Sequence, residues 1–245
     1  MPQFPAPQPW QKSPLAQLAA VLLGAGPMYA LAISGGLADF RMPTLQESLL
    51  NTLFIVVVFG GLILAALLLL NGELPGALQL KPARLSHDIG HGLVLGAELM
   101  VVQVGVMLLL RNSAIGQTPP ATQSIGAALA ADPWLLAFWI GPVVWLQAAL
   151  IEELTRVFML SRLWHVWPSS AGRLLAVLGS ALLFGMGHMY EGAIGIVGTS
   201  VIGLMLGLHY EARGRVLPLI IAHGVYNSAA LAYLVAMARS APAGL

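Results

Sequence analysis

Apolar residues in this chain run in long blocks separated by short polar, Pro- and Gly-rich breaks. The blocks show neither the alternation of a half-buried strand nor the narrow stripe of a surface helix. A helix needs roughly 20 mostly apolar residues to cross about 30 Å of hydrocarbon. Seven stretches meet that length, near residues 15–36, 46–70, 89–110, 134–161, 172–190, 193–210 and 216–238. The breaks carry turn chemistry at Gly72–Pro75, Lys81–Pro82, Thr118–Pro119–Pro120, Trp167–Pro168 and Arg213–Gly214. The fourth stretch is too long for one straight crossing, and Gly141–Pro142 is expected to bend it or to split off an eighth short segment. The pattern therefore predicts an all-α fold, a polytopic membrane bundle of about seven helices, or eight with that split.

Residues 1–14 hold five prolines and one lysine and read as an irregular tail. They lack the basic-then-apolar layout of a cleaved signal peptide, so the block Leu15–Ile33 is expected to be a retained span. Residues 15–240 show no internal repeat and no long linker, and are expected to form a single membrane domain.

Composition strengthens the membrane reading. The 245 residues are 58% hydrophobic and only 9% charged, against about 25% charged in a typical soluble domain. A net charge of +1 gives no reason to expect a nucleic-acid partner. Composition makes membrane lipid the expected partner. With no cysteine, disulfides, thiolate nucleophiles and Cys-ligated metal are excluded. Basic residues near the span ends set orientation. With the N-terminus inside, Lys12, Lys81, Arg84, Arg162, Arg173, Arg213 and Arg215 fall on the cytoplasmic side, against Arg41, Arg111 and Arg239 opposite. The N-terminus is thus expected in the cytoplasm, and an odd number of crossings puts the C-terminus outside.

A few polar groups cannot be moved out of the apolar blocks, where each ionisable side chain costs about 2.5–3.5 kcal/mol. The fourth span contains Glu152, Glu153 and Arg156; the fifth ends in Phe184-Gly185-Met186-Gly187-His188; the seventh contains His223 and Asn227. Residues four apart share a helix face, which pairs Glu152 with Arg156, Phe184 with His188, and His223 with Asn227. Glu153 points about 100° away from Glu152 and is expected to play a different part. Singly, each group has an ordinary reading: a self-neutralising ion pair, an interhelical hydrogen bond, or core packing. Glu98 and Gln103 read as structural or cavity-lining, and His87, His91, His165 and His209 lie near span ends and need no special role. The joint occurrence of Glu152, His188, His223 and Asn227 on otherwise apolar helices is what the ordinary readings leave unexplained. A carboxylate and an imidazole can hold and deprotonate a water, and donors on a neighbouring helix can stabilise an oxyanion. Depth sets a condition. At about 1.5 Å per residue, Glu152, His223 and Asn227 lie roughly 10–17 Å from the cytoplasmic ends and His188 about 23 Å. A tilted fifth helix, or an irregular stretch at Gly185, Gly187 and Gly192, is needed to bring His188 level.

Glu152-Glu153-x-x-Arg156, Phe184-x-x-x-His188 and His223-x-x-x-Asn227 together resemble, over about residues 134–238, the three motifs of the CPBP (Abi) family. These are the CAAX-prenyl-protease-type and bacteriocin-processing intramembrane glutamic endopeptidases. The resemblance implies hydrolysis of a peptide bond in a membrane-associated, prenylated or leader peptide. It implies that Glu152 and His188 activate water, that His223 and Asn227 stabilise the oxyanion, and that Glu153, Arg156 and Phe184 support them. It implies no cofactor, and the expected location is a bacterial plasma (inner) membrane. The first motif departs from the family pattern, with two residues instead of three between the second Glu and the Arg. Three rival readings stand beside this one. The first is a zinc site on Glu152, His188 and His223. The second is a proton-coupled transporter, which predicts inverted repeats the sequence does not show. The third is a non-catalytic immunity or scaffold protein of the same fold.

Overall fold

A computed structural model describes residues 8–36, 41–73, 85–117 and 119–240. Part of the N-terminal tail, the Lys81–Pro82 break and Thr118 lie outside the described residues. Among the described residues the chain is helical throughout, with no strand. Its helices are α1 (Pro14–Gly24), α2 (Gly26–Gly36), α3 (Leu45–Asn71), α4 (Leu85–Leu110), α5 (Pro120–Ala131), α6 (Pro133–Val166), α7 (Ser170–Met186), α8 (Gly192–Arg213) and α9 (Leu217–Ser240). Starts are set by local chemistry. The hydroxyl of Ser13 accepts from the Ala16 amide ahead of Pro14, Thr44 and Glu47 close a capping box, and Asp132 accepts from the amides of Trp134 and Leu135. Each satisfies amides that a helix start leaves without a partner.

Among the described residues six segments are long and apolar enough to cross a membrane: α1 with α2, α3, α4, α6, α8 with the turn before it, and α9. The fifth predicted stretch is the shorter α7, of 17 residues. The chain is a polytopic helical membrane protein. Three details depart from expectation. The first span is interrupted at Ala25, because Pro27 cannot donate to the carbonyl one turn back. The fourth is neither split nor sharply ended: α6 runs unbroken for 34 residues. From Trp139 to Glu152 its coil is widened to i→i+5 bonding, which accommodates Pro142 without the clash that proline makes in an α-helix. The connection before it holds the extra helix α5, which buries Ile125, Gly126 and Leu129 and packs on α9.

Helices approach closely where one side is glycine, the usual solution in lipid, where packing rather than water exclusion drives association. Gly92 and Gly96 of α4 lie against Ile221 and Ala222 of α9, and a Cβ at Gly92 would come within 2.6 Å of the Ile221 side chain. Gly203 and Gly207 set α8 against α7. Polar contacts join α3 to α6, where Thr52 donates to the Gln147 side-chain carbonyl at 3.1 Å and the Trp139 indole donates to Ser48 at 3.1 Å.

Candidate active site

The return from widened coil to α-helix falls between Glu152 and Glu153, and the two carboxylates have different surroundings. Glu153 is fully buried. Arg156, also fully buried, donates to it twice, Nε to Oε2 at 3.0 Å and Nη2 to Oε1 at 3.2 Å. The third nitrogen, Nη1, donates to the Gly203 carbonyl at 3.4 Å. The guanidinium carbon lies 4.3 Å from the centre of the Phe184 ring. Tyr29 of α2 is buried and is among the ionisable groups that Arg156 feels. The expected Glu152–Arg156 pair is therefore replaced by Glu153–Arg156. Both spacings, i+3 and i+4, bring side chains together on a helix, and the tertiary partners decide between them.

Glu153 Oε1 also accepts from His223 Nδ1 at 2.8 Å. A carboxylate can only accept, so this nitrogen carries a hydrogen and the other, Nε2, faces elsewhere. It lies 3.8 Å from Glu152 Oε2. His223 thus stands between the two glutamates, tied to one and turned toward the other. Glu152 Oε2 has no hydrogen-bond partner among the described residues although it is shielded from solvent. The ionisable groups around Glu152 are His223, His188, Glu153 and Arg156.

His188 reaches this neighbourhood because α7 is short. The helix stops at Met186, and a tight turn at Met189–Glu191 leads into Gly192, whose φ of 70° lies in the left-handed region. A side chain there would be strained, and its Cβ would also meet Pro119 at 2.7 Å. The irregular stretch that the depth count called for is present at Gly187–Gly192. His188 Nδ1 contacts the Phe184 carbonyl at 2.9 Å, and a carbonyl only accepts, so Nδ1 is the donor and Nε2 is left free. Its ring packs 4.8 Å from Phe184 and 5.9 Å from Tyr190. Phe184 also meets His223 edge-on at 5.8 Å, so one buried ring touches Arg156, His188 and His223. Asn227 is one turn beyond His223 on α9, partly exposed, and makes no hydrogen bond among the described residues.

The structure brings Glu152, Glu153, Arg156, Phe184 and His223 into direct contact, seats His188 in the same group through Phe184, and leaves Asn227 at its edge. Among the described residues no three His, Cys, Asp or Glu side chains gather as a metal ion would require. Sequence reasoning missed Gly203, Tyr29 and Tyr190. Gly203 is the most consequential: a Cβ there would lie 3.0 Å from Arg156 Nη1 and 3.1 Å from the Phe184 ring. The small-x-x-x-small spacing of Gly203 and Gly207 was the available signal. Tyr29 carried none.

Residues 133–229 match the family model described as type II CAAX prenyl endopeptidase Rce1-like. The matched segment runs from the start of α6 through Asn227 and so covers every residue of the cluster except Tyr29. No curated protein and no solved structure matches the chain.

Proposed function

We propose that this membrane protein, whose segment 133–229 belongs to the Rce1-like family of CAAX prenyl endopeptidases, is an intramembrane endopeptidase that uses Glu152 to activate a water. The observation that carries the reading is the shielded Glu152 Oε2, which lacks a hydrogen-bond partner and lies 3.8 Å from His223 Nε2. A carboxylate oxygen left without a donor in a low-dielectric setting is costly, and a water is the simplest group that would satisfy it.

In this reading the water sits between Glu152 and His188 Nε2. Glu152 takes one proton as the water oxygen attacks the scissile carbonyl carbon. The oxyanion that forms faces the Asn227 amide and His223 Nε2, which becomes a donor when the ring is doubly protonated. Glu153 accepts from the opposite nitrogen and fixes the orientation of the ring. The proton held on Glu152 then passes to the amide nitrogen as the C–N bond breaks, which returns Glu152 to its starting form. Glu153 is in turn held by Arg156, and Arg156 by Gly203 and Phe184. The shortened first motif therefore keeps a role for its arginine: Arg156 reaches Glu153 at i+3. The substrate class is a prenylated, leader or other membrane-associated peptide. The basic residues at the span ends favour an N-terminus in the cytoplasm.

The test is reconstitution of the purified chain with prenylated and leader-type peptides, comparing the unaltered protein with Glu152→Ala, His188→Ala and His223→Ala. Cleavage should disappear in all three. Undiminished cleavage by the Glu152 variant would sink the assignment.

A further inference from the structure

A cavity of about 480 Å³ lies where α6 and α8 end and α7 begins, and none of Glu152, His188, His223 or Asn227 lines it. Its walls instead hold Arg162, Trp164 and His165 of α6, Arg173 of α7, Tyr210 and Glu211 of α8, and Glu73 from the end of α3. Arg162, expected from the sequence to be a loop charge, is a buried one, with a side chain only 3% exposed. Its Nη2 pairs with Glu73 Oε2 at 2.9 Å and its Nε donates to the Ser161 hydroxyl at 3.3 Å. Its Nη1 is buried and has no acceptor among the described residues. A guanidinium cannot shed its charge, so the orphan donor asks for an oxygen acceptor.

The surroundings say which kind. Arg173 lies 3.4 Å from Glu211 and stacks its guanidinium 4.6 Å over the Trp164 ring, which brings a second positive group to the same cavity. His165 Nδ1 donates to the Ser161 carbonyl at 2.6 Å, which leaves Nε2 out of that bond. Glu73 and Glu211 are partly exposed, at 24% and 39%, and can swing to water when an anion arrives. Guanidinium forks match the oxygens of phosphate and bind them bidentately. Beside them Trp164 and Tyr210 stack nearly parallel, 5.5 Å apart at 13°, as a flat wall for an organic group. The volume falls in the range of small-molecule sites and far exceeds a bare ion.

We propose that this cavity is a second ligand site, which takes the phosphate of an organic phosphate ester on Arg162 Nη1 and Arg173 with its organic part against Trp164 and Tyr210. The site is independent of the protease reading. Basic pockets between membrane helices commonly hold lipid headgroups, and a soluble phosphate ester offers the same chemistry.

The test uses the full chain in dodecyl maltoside, a detergent without phosphate, at constant ionic strength set by chloride. The thermal unfolding midpoint is followed against inorganic phosphate and, separately, against dioctanoyl phosphatidylglycerol. A ligand bound only by the folded state raises the midpoint in a saturable way. A rise with either probe supports the site; a rise with the lipid alone identifies a headgroup, and a rise with phosphate alone a soluble ester. Arg162→Gln should abolish the response. Glu73→Gln should tighten it by about tenfold, because the competing carboxylate is gone, and this arm decides the matter if Arg162→Gln does not fold. No response to either probe, or a response that Glu73→Gln leaves unchanged or weakens, overturns the proposal.

Discussion

Glu152 and Glu153 are adjacent on α6, yet the regions they face could hardly differ more. On the Glu153 side every strong donor and acceptor has a partner: Arg156 reaches Glu153 twice and the Gly203 carbonyl once, and His223 completes the carboxylate. On the Glu152 side a carboxylate oxygen, the Nε2 of His188 and the amide of Asn227 have none among the described residues. One region is a closed network that fixes geometry. The other is a set of open valences that the closed network aims. The difference teaches where to look for chemistry in a membrane interior: satisfied ion pairs hold the fold, and the unsatisfied groups beside them are left for a reactant.

Substitutions on the two sides should therefore separate activity from stability. Glu152→Gln should lower the cleavage rate by about 10²–10⁴-fold, the usual worth of a general base, while the thermal midpoint holds or rises. A fall in the midpoint of the size expected for Glu153 would break the contrast. Glu153→Gln strands a buried guanidinium, and breaking such a pair costs about 3–5 kcal/mol; denaturant titration in detergent should show it before any activity is measured. Asn227→Ala should reduce kcat by about 10²–10³-fold with KM and stability kept, as removal of one oxyanion donor does. Gly203→Ala pushes a methyl against Arg156 and Phe184 and should cost about 1–3 kcal/mol, the typical penalty of overpacking. Thr52→Val, at the α3–α6 contact remote from both sides, should cost only about 0.6 kcal/mol and leave the rate alone.

Hydropathy delimits most of the bundle because a span must be apolar along nearly its whole length, and six of the seven expected stretches reach that length. It is blind to α5, where Ile125 and Leu129 alone supply the buried side of a 12-residue helix flanked by prolines. Polar residues in apolar blocks are equally legible, so Glu152, His188, His223 and Asn227 stand out from the chain alone. Which glutamate meets the arginine is not legible, since i+3 and i+4 are both allowed and the choice rests on His223, 70 residues away. Arg162 misleads for a related reason: a charge near a span end is normally solvated, and only the approach of Glu73 and the folding back of α7 and α8 enclose it.

The early end of α7 has a consequence for the lipid around it. Seventeen residues at about 1.5 Å each make a rod of roughly 25 Å, several ångströms short of the hydrocarbon layer beside it. Lipid tails at that flank must compress, or headgroups and water must dip inward to meet the turn at Gly187–Gly192. The mismatch lies next to His188, so the dimple would open beside the cluster, and under the proposed function it is the route by which water and a peptide bond reach Glu152. Bilayers of shorter acyl chains remove the cost of that dimple, and thicker ones raise it.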